Sequence, residues 1–127
     1  SAPDRAVVVD VTFARQPDTT DIRVELGKGP AVGIGPNMDR RMTQALFRLA
    51  DEQKIPVQKE VCPGMSGTNA EEIQVSRQGV ATALVSLPIR YMHTPVETAL
   101  LSDMENTLRL IVRYVSSLRE GDEDHAL

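Results

Sequence analysis

Val80-Ala81-Thr82-Ala83-Leu84-Val85-Ser86-Leu87 contains no charged residue and no glycine, and it runs straight into Pro88. An apolar run this short, bounded by Gly79 and a proline, reads as a strand buried on both faces. Pro88 has no N–H to give a ladder, so pairing is expected to end there. The following residues, Ile89 to Glu97, are then a loop at the carboxyl end of a strand, where open α/β sheets place their ligands. His93 lies in that loop. The only other histidine, His125, sits in the acidic tail 120–127, which reads as flexible and solvated.

A second apolar run, Ala6 to Phe13, holds three consecutive valines and predicts another strand covered on both faces. Asp10 interrupts it. A carboxylate buried there needs a metal, a cation or several donors; alternatively the strand stops near Asp10 and the side chain caps a turn. Further strands are expected at 22–26, 31–35 and 56–61, the last near a sheet edge because of Pro56. Gly27-Lys28-Gly29-Pro30 reads as a turn. Gly33-Ile34-Gly35 lacks the third glycine of a dinucleotide fingerprint and is better suited to close backbone packing.

Helices are predicted near 38–54, 69–78 and 102–118. The first has Asn37 as N-cap and Met42, Ala45, Leu46, Leu49 and Ala50 on its core face. The second follows the loop Cys62-Pro63-Gly64-Met65-Ser66-Gly67, with Thr68 and Glu71 spaced as a capping box. Its start suits a carboxylate or carbonyl ligand, or is an ordinary cap. The third opens on a Ser102–Glu105 capping box, and Met104, Leu108, Ile111, Val112, Val115 and Leu118 form its expected core stripe. Together these predict an α/β domain over 1–119 with three layers, α/β/α, around a mixed sheet.

At 127 residues the chain is long enough to bury a real core. A net charge of −4 with scattered basic residues argues against a phosphate-tracking surface, and two Tyr, two Phe and no Trp argue against base stacking; no nucleic-acid partner is expected. One cysteine, Cys62, excludes an internal disulfide and points to a reducing, cytoplasmic compartment. No apolar run approaches eighteen residues, so no membrane association is expected.

Asp10 and His93 are the two residues whose type and placement suit a divalent metal such as zinc or cobalt, each at the end of a strand. Two ligands do not complete a site, and the residues alone leave a metal centre and a non-catalytic binding module both open.

Several runs together resemble one family. They are Val9-Asp10-Val11-Thr12, Gly29-Pro30, Met65-Ser66-Gly67-Thr68-Asn69-Ala70, Gly79-Val80-Ala81-Thr82 and Pro88-Ile89-Arg90-Tyr91-Met92-His93-Thr94-Pro95. In this order they are similar to the C-terminal part of the glutamyl or tetrahedral aminopeptidases, dinuclear metallopeptidases of which some members have been labelled endoglucanases. The resemblance covers nearly the whole chain. It implies a fold like the C-terminal part of a zinc-aminopeptidase catalytic domain, and hydrolysis of N-terminal residues from peptide substrates. Two divalent metals, zinc or cobalt, would share a bridging aspartate, with Asp10 on one metal and His93 on the other. Gly67, Thr68, Asn69, Arg90 and Tyr91 would border the substrate. Asn69 stands where the family often has aspartate, so no acidic or basic substrate preference is read from that loop. The bridging ligand, an early histidine and the Glu-Glu pair with the general base would come from sequence N-terminal to Ser1. The chain alone is therefore expected to be inactive, and the complete protein to be a homo-oligomer. The alternative is an interaction module that keeps the peptidase scaffold without its chemistry.

Overall fold

The computed structural model describes residues 5–17, 22–62, 80–90 and 98–119. The elements are β1 (Arg5–Phe13), β2 (Ala31–Ile34), α1 (Arg40–Gln53), β3 (Gln58–Val61), β4 (Ala81–Ile89) and α2 (Leu101–Arg119). The strands form one mixed sheet in the order β1-β4-β2-β3. β1 runs parallel to β4, β2 parallel to β3, and β2 antiparallel to β4.

The valine-rich run and the run before Pro88 are neighbours, paired residue for residue from Arg5↔Ala81 to Phe13↔Ile89. β1 runs through Asp10 to Phe13, as the strand reading of 6–13 has it and against the alternative stop at Asp10. One expectation fails here: β4 does not stop at Pro88. The Ile89 carbonyl accepts from the Ala14 N–H at 2.7 Å, so it faces β1. Alternation turns the Pro88 nitrogen to the other side, beyond Ala31↔Ser86, the last pair of the β2–β4 ladder. A proline is tolerated where no acceptor waits for its missing N–H.

The valines are also not covered as expected. Among the described residues β1 is an edge strand. Val8 is buried, while Val9 is 52% and Phe13 50% exposed.

α1 and α2 pack on one face of the sheet. Val32, Ala83 and Val85 meet Met42, Leu46 and Ala50 of α1 and Leu110 and Tyr114 of α2 in a single core cluster. Each large aliphatic side chain buried there contributes roughly 1.5–3 kcal/mol. The opposite face carries a smaller cluster, Val8, Met38, Cys62 and Leu84. The helix predicted at 69–78 lies outside the described residues.

Local chemistry explains three further departures. The α1 N-cap is Asp39 rather than Asn37: its carboxylate accepts from the Met42 N–H at 2.9 Å. Residues 22–26 form no strand. The Gln58 amide accepts from the Glu25 N–H and donates to the carbonyls of Glu25 and Gly29, at 2.8 to 2.9 Å, using backbone groups that a ladder would need. In α2 the first intrahelical bond runs from the Met104 N–H to the Leu100 carbonyl, so Ser102 lies inside the helix and cannot cap it. Asp103 is fully buried and accepts from the N–H groups of Gly27 and Gly29 at 2.8 and 2.9 Å. It ties α2 to the expected turn.

The core face of α2 differs too. Asp103, Thr107, Leu110 and Tyr114 point inward, and of the expected stripe Ile111 and Leu118 pack against the core, whereas Met104, Leu108, Val112 and Val115 are exposed. α2 therefore has two stripes at helical spacing, and the more polar one faces the sheet.

Candidate metal centre

Asp10 sits on β1 opposite Ser86, three residues before the strand ends. Val7 packs into the helix-side core and Val8 into the cluster on the other face. Asp10 and Thr12 consequently share the face of Val8, away from both helices. The Asp10 carboxylate is half-buried, and among the described residues only the Val11 N–H donates to it, at 2.8 Å. A carboxylate with one backbone donor and open coordination sites is a suitable hard-oxygen ligand for zinc or cobalt. Beside it the Thr12 hydroxyl donates to the Glu60 carboxylate of β3. Sequence reasoning missed this pair. Glu60 lies 48 residues from Thr12, and its strand showed only ordinary alternation.

Glu60 also acts on its neighbour Cys62. The thiol is raised above its ordinary pKa, chiefly by burial and then by the Glu60 charge, with a backbone contact to Ile34 working the other way. It is a buried, neutral thiol rather than a nucleophile or ligand.

Arg90 is half-buried at the end of β4. Its Nε donates to the Arg15 carbonyl at 2.8 Å. Its backbone pairs with Thr98 in an antiparallel bridge, N–H to carbonyl in both directions at 2.8 and 3.0 Å. Arg90 thus fastens the point where the chain enters and leaves 91–97 to the loop after β1. Of the other candidates, His93, Tyr91, Gly67, Thr68 and Asn69 lie outside the described residues. Among the described residues no three His, Cys, Asp or Glu side chains gather as a metal site. No helix there is long and apolar enough to cross a membrane.

A groove of about 430 Å³ opens between β1 and α2, bordered by Val9, Asp10, Val11, Leu87, Met104 and Leu108.

The mixed sheet with two helices packed on one face is an α/β arrangement that matches the fold of solved aminopeptidases. The chain belongs to the M42 glutamyl aminopeptidase family, which it matches over residues 1–110. It is 43% identical over 121 residues to the lysyl aminopeptidase of Pyrococcus furiosus, covering 94% of this chain and 35% of that protein. An aminopeptidase of the archaeon Desulfurococcus kamchatkensis superposes with a TM-score of 0.76 at 34% identity, over 86% of this chain and 33% of that one. The TET1 peptidase of Pyrococcus horikoshii, which can assemble into a tetrahedron or a large octahedral shell, gives 0.63 at 29% identity over 86% and 32%. The chain spans about a third of the length of these relatives.

Proposed function

We propose that residues 1–119 are the C-terminal portion of the catalytic domain of a dinuclear metal-dependent aminopeptidase, followed by an acidic tail at 120–127. The observation that carries this is the family match, which runs through both Asp10 and His93. Asp10 lies in a regular ladder that fixes its backbone, with the Val11 N–H holding its carboxylate. In this reading Asp10 ligates one metal and His93 the other. Arg90 anchors the His93 segment through Arg15 and, with Gly67, Thr68, Asn69 and Tyr91, borders the peptide. Two divalent ions, zinc or cobalt, supply when bound a polarised scissile carbonyl and a water of lowered pKa. The bridging ligand and the carboxylate that takes the water's proton belong to the remaining part of the domain. Without such a base the rate falls at least ~100-fold, so the chain alone is inactive. The assemblies formed by the Pyrococcus horikoshii relative support a homo-oligomer for the complete protein. One cysteine and the lack of any long apolar run support a cytoplasmic location.

The test is calorimetry with zinc, beside assays on aminoacyl nitroanilides. The isolated chain should bind zinc weakly and cleave nothing. Joined to the rest of an M42 domain it should show activity that a chelator removes and that Asp10→Ala and His93→Ala each abolish. A tight stoichiometric zinc site in the isolated chain, lost in His93→Ala, would overturn the proposal in favour of a self-contained site.

A further inference from the structure

The hydrogen bond from the Thr12 hydroxyl to the Glu60 carboxylate ties the strand of the candidate metal ligand to β3 across the sheet. Lys59 reaches the Phe47 ring of α1 at 5.9 Å, so β3 turns Lys59 to the helix side and Glu60 to the opposite face. Glu60 therefore shares the face of Asp10 and Thr12. Both members of the pair are half-buried, and both border an open cleft of about 390 Å³ together with Phe13, Ile22 and Val24. Arg23 and Lys59 border the same cleft, yet among the described residues neither forms an ion pair with Glu60. There its carboxylate receives the Thr12 hydroxyl alone. With two cations in the same cleft left out, the contact is no salt-bridge anchor. What it specifies is where the Thr12 hydroxyl points.

That direction matters for Asp10. Side chains two residues apart on a strand stand on one face about 7 Å apart, close enough for a hydroxyl at position 12 to donate to a carboxylate at position 10. Here the two are turned apart. The Ala14 N–H points to β4, so alternation turns the Val11 N–H, which donates to Asp10, to the other side of β1. Glu60 draws Thr12 the opposite way, toward β3. We propose that Glu60 is a positioning residue for the Asp10 metal ligand: by accepting the Thr12 hydroxyl it keeps a competing donor off the Asp10 carboxylate and leaves those oxygens open to a divalent cation. The inference rests on the metallopeptidase reading, and it gives Glu60 no contact with metal or substrate. Without its acceptor the Thr12 hydroxyl is a half-buried donor, and Asp10 is the one carboxylate on β1. Hydrogen bonds to charged groups are among the stronger ones, so a cation would have to displace that donor before it could bind.

The test joins the 127-residue chain to the portion of the Pyrococcus furiosus lysyl aminopeptidase that the match leaves uncovered, and measures zinc affinity by competition with a chromophoric chelator. Glu60→Val and Glu60→Ala should each weaken zinc binding at least ~10-fold, as losing an outer partner of a metal ligand does. Thr12→Val removes the competing donor, so by itself it should leave the affinity within ~3-fold of the parent. Added to either Glu60 variant, it should restore the affinity to that same level. Glu60→Gln keeps an oxygen that can accept the hydroxyl and should also stay within this margin. Circular dichroism checks that each variant folds, and the two Glu60 truncations back each other up. Unchanged affinity in both truncations overturns the inference. A loss that Thr12→Val does not restore gives Glu60 a charge or packing role and overturns it too, as does a Glu60→Gln variant as weak as Glu60→Val. Failure of the metallopeptidase reading looks different, because the unsubstituted protein then takes up no zinc, and the inference falls with it.

Discussion

Asp103 shows how much one side chain can organise. It is fully buried, yet it sits in the first turn of α2, where a carboxylate is favoured by the helix dipole. There it receives the N–H groups of Gly27 and Gly29, both at positive φ. Gly29 has no alternative residue, because a Cβ would run into the Pro56 carbonyl. Asp103→Asn turns one acceptor into a donor facing an N–H, and should cost about 1.5–3 kcal/mol in urea unfolding, the range for a hydrogen bond to a charged group. Loss below ~0.5 kcal/mol would show that the turn holds without it. Cys62 gives a second test at this scale. Its thiol is raised in the folded state, so folding favours the neutral form. That stability is fully present below the unfolded thiol's pKa and is lost as pH rises through the folded value. A disulfide reagent at mildly alkaline pH should therefore label Cys62 at least ~10-fold more slowly in the native chain than in urea. Equal rates would place the thiol in solvent.

At the scale of elements, α1 is specified from both ends. Asp39 caps its start, and its own N–H reaches the Thr82 carbonyl of the central strand β4 at 2.7 Å. Asp39→Ala should remove about 1 kcal/mol, measured as a lower urea midpoint at unchanged slope. At the other end Lys54 adopts a left-handed conformation, φ 56° and ψ 43°. Glycine takes that conformation freely, so Lys54→Gly should stabilise the fold by roughly 0.5–1 kcal/mol. A destabilised variant would mean that the lysine side chain contributes more than its backbone strain costs.

For the whole molecule the question is what a sheet with one regular, uncovered edge does in water. Exposed apolar patches joined to an unpaired strand favour association. The chain alone should bind an apolar dye and self-associate reversibly, with the apparent mass rising with concentration. Val11→Lys should lower both signals. A sharply monomeric chain with cooperative unfolding and no dye binding would show instead that these residues complete their own fold.

Where structure follows from neighbours in sequence, the chain is legible. Short continuous apolar runs place β1 and β4, and a period of 3.6 places the core face of α1, because each depends only on neighbours in the chain. The glycines at 27 and 29 mark their turn because both take a positive φ that other residues rarely adopt, and the motifs around Asp10 and Arg90 are enough for the family. Only tertiary structure decides the order β1-β4-β2-β3, the acceptance of Pro88 inside a ladder, and the irregular path of 22–26 under the Gln58 amide. It also decides which stripe of α2 turns inward: periodicity finds both, but only the buried Asp103 and its glycine partners, more than seventy residues away, fix the rotation of the helix. The pairing of Thr12 with Glu60 and of Arg90 with Arg15 belongs to the same class. Such contacts join groups far apart in the chain, and their free energy depends on which strand edges and backbone donors the rest of the fold has left open.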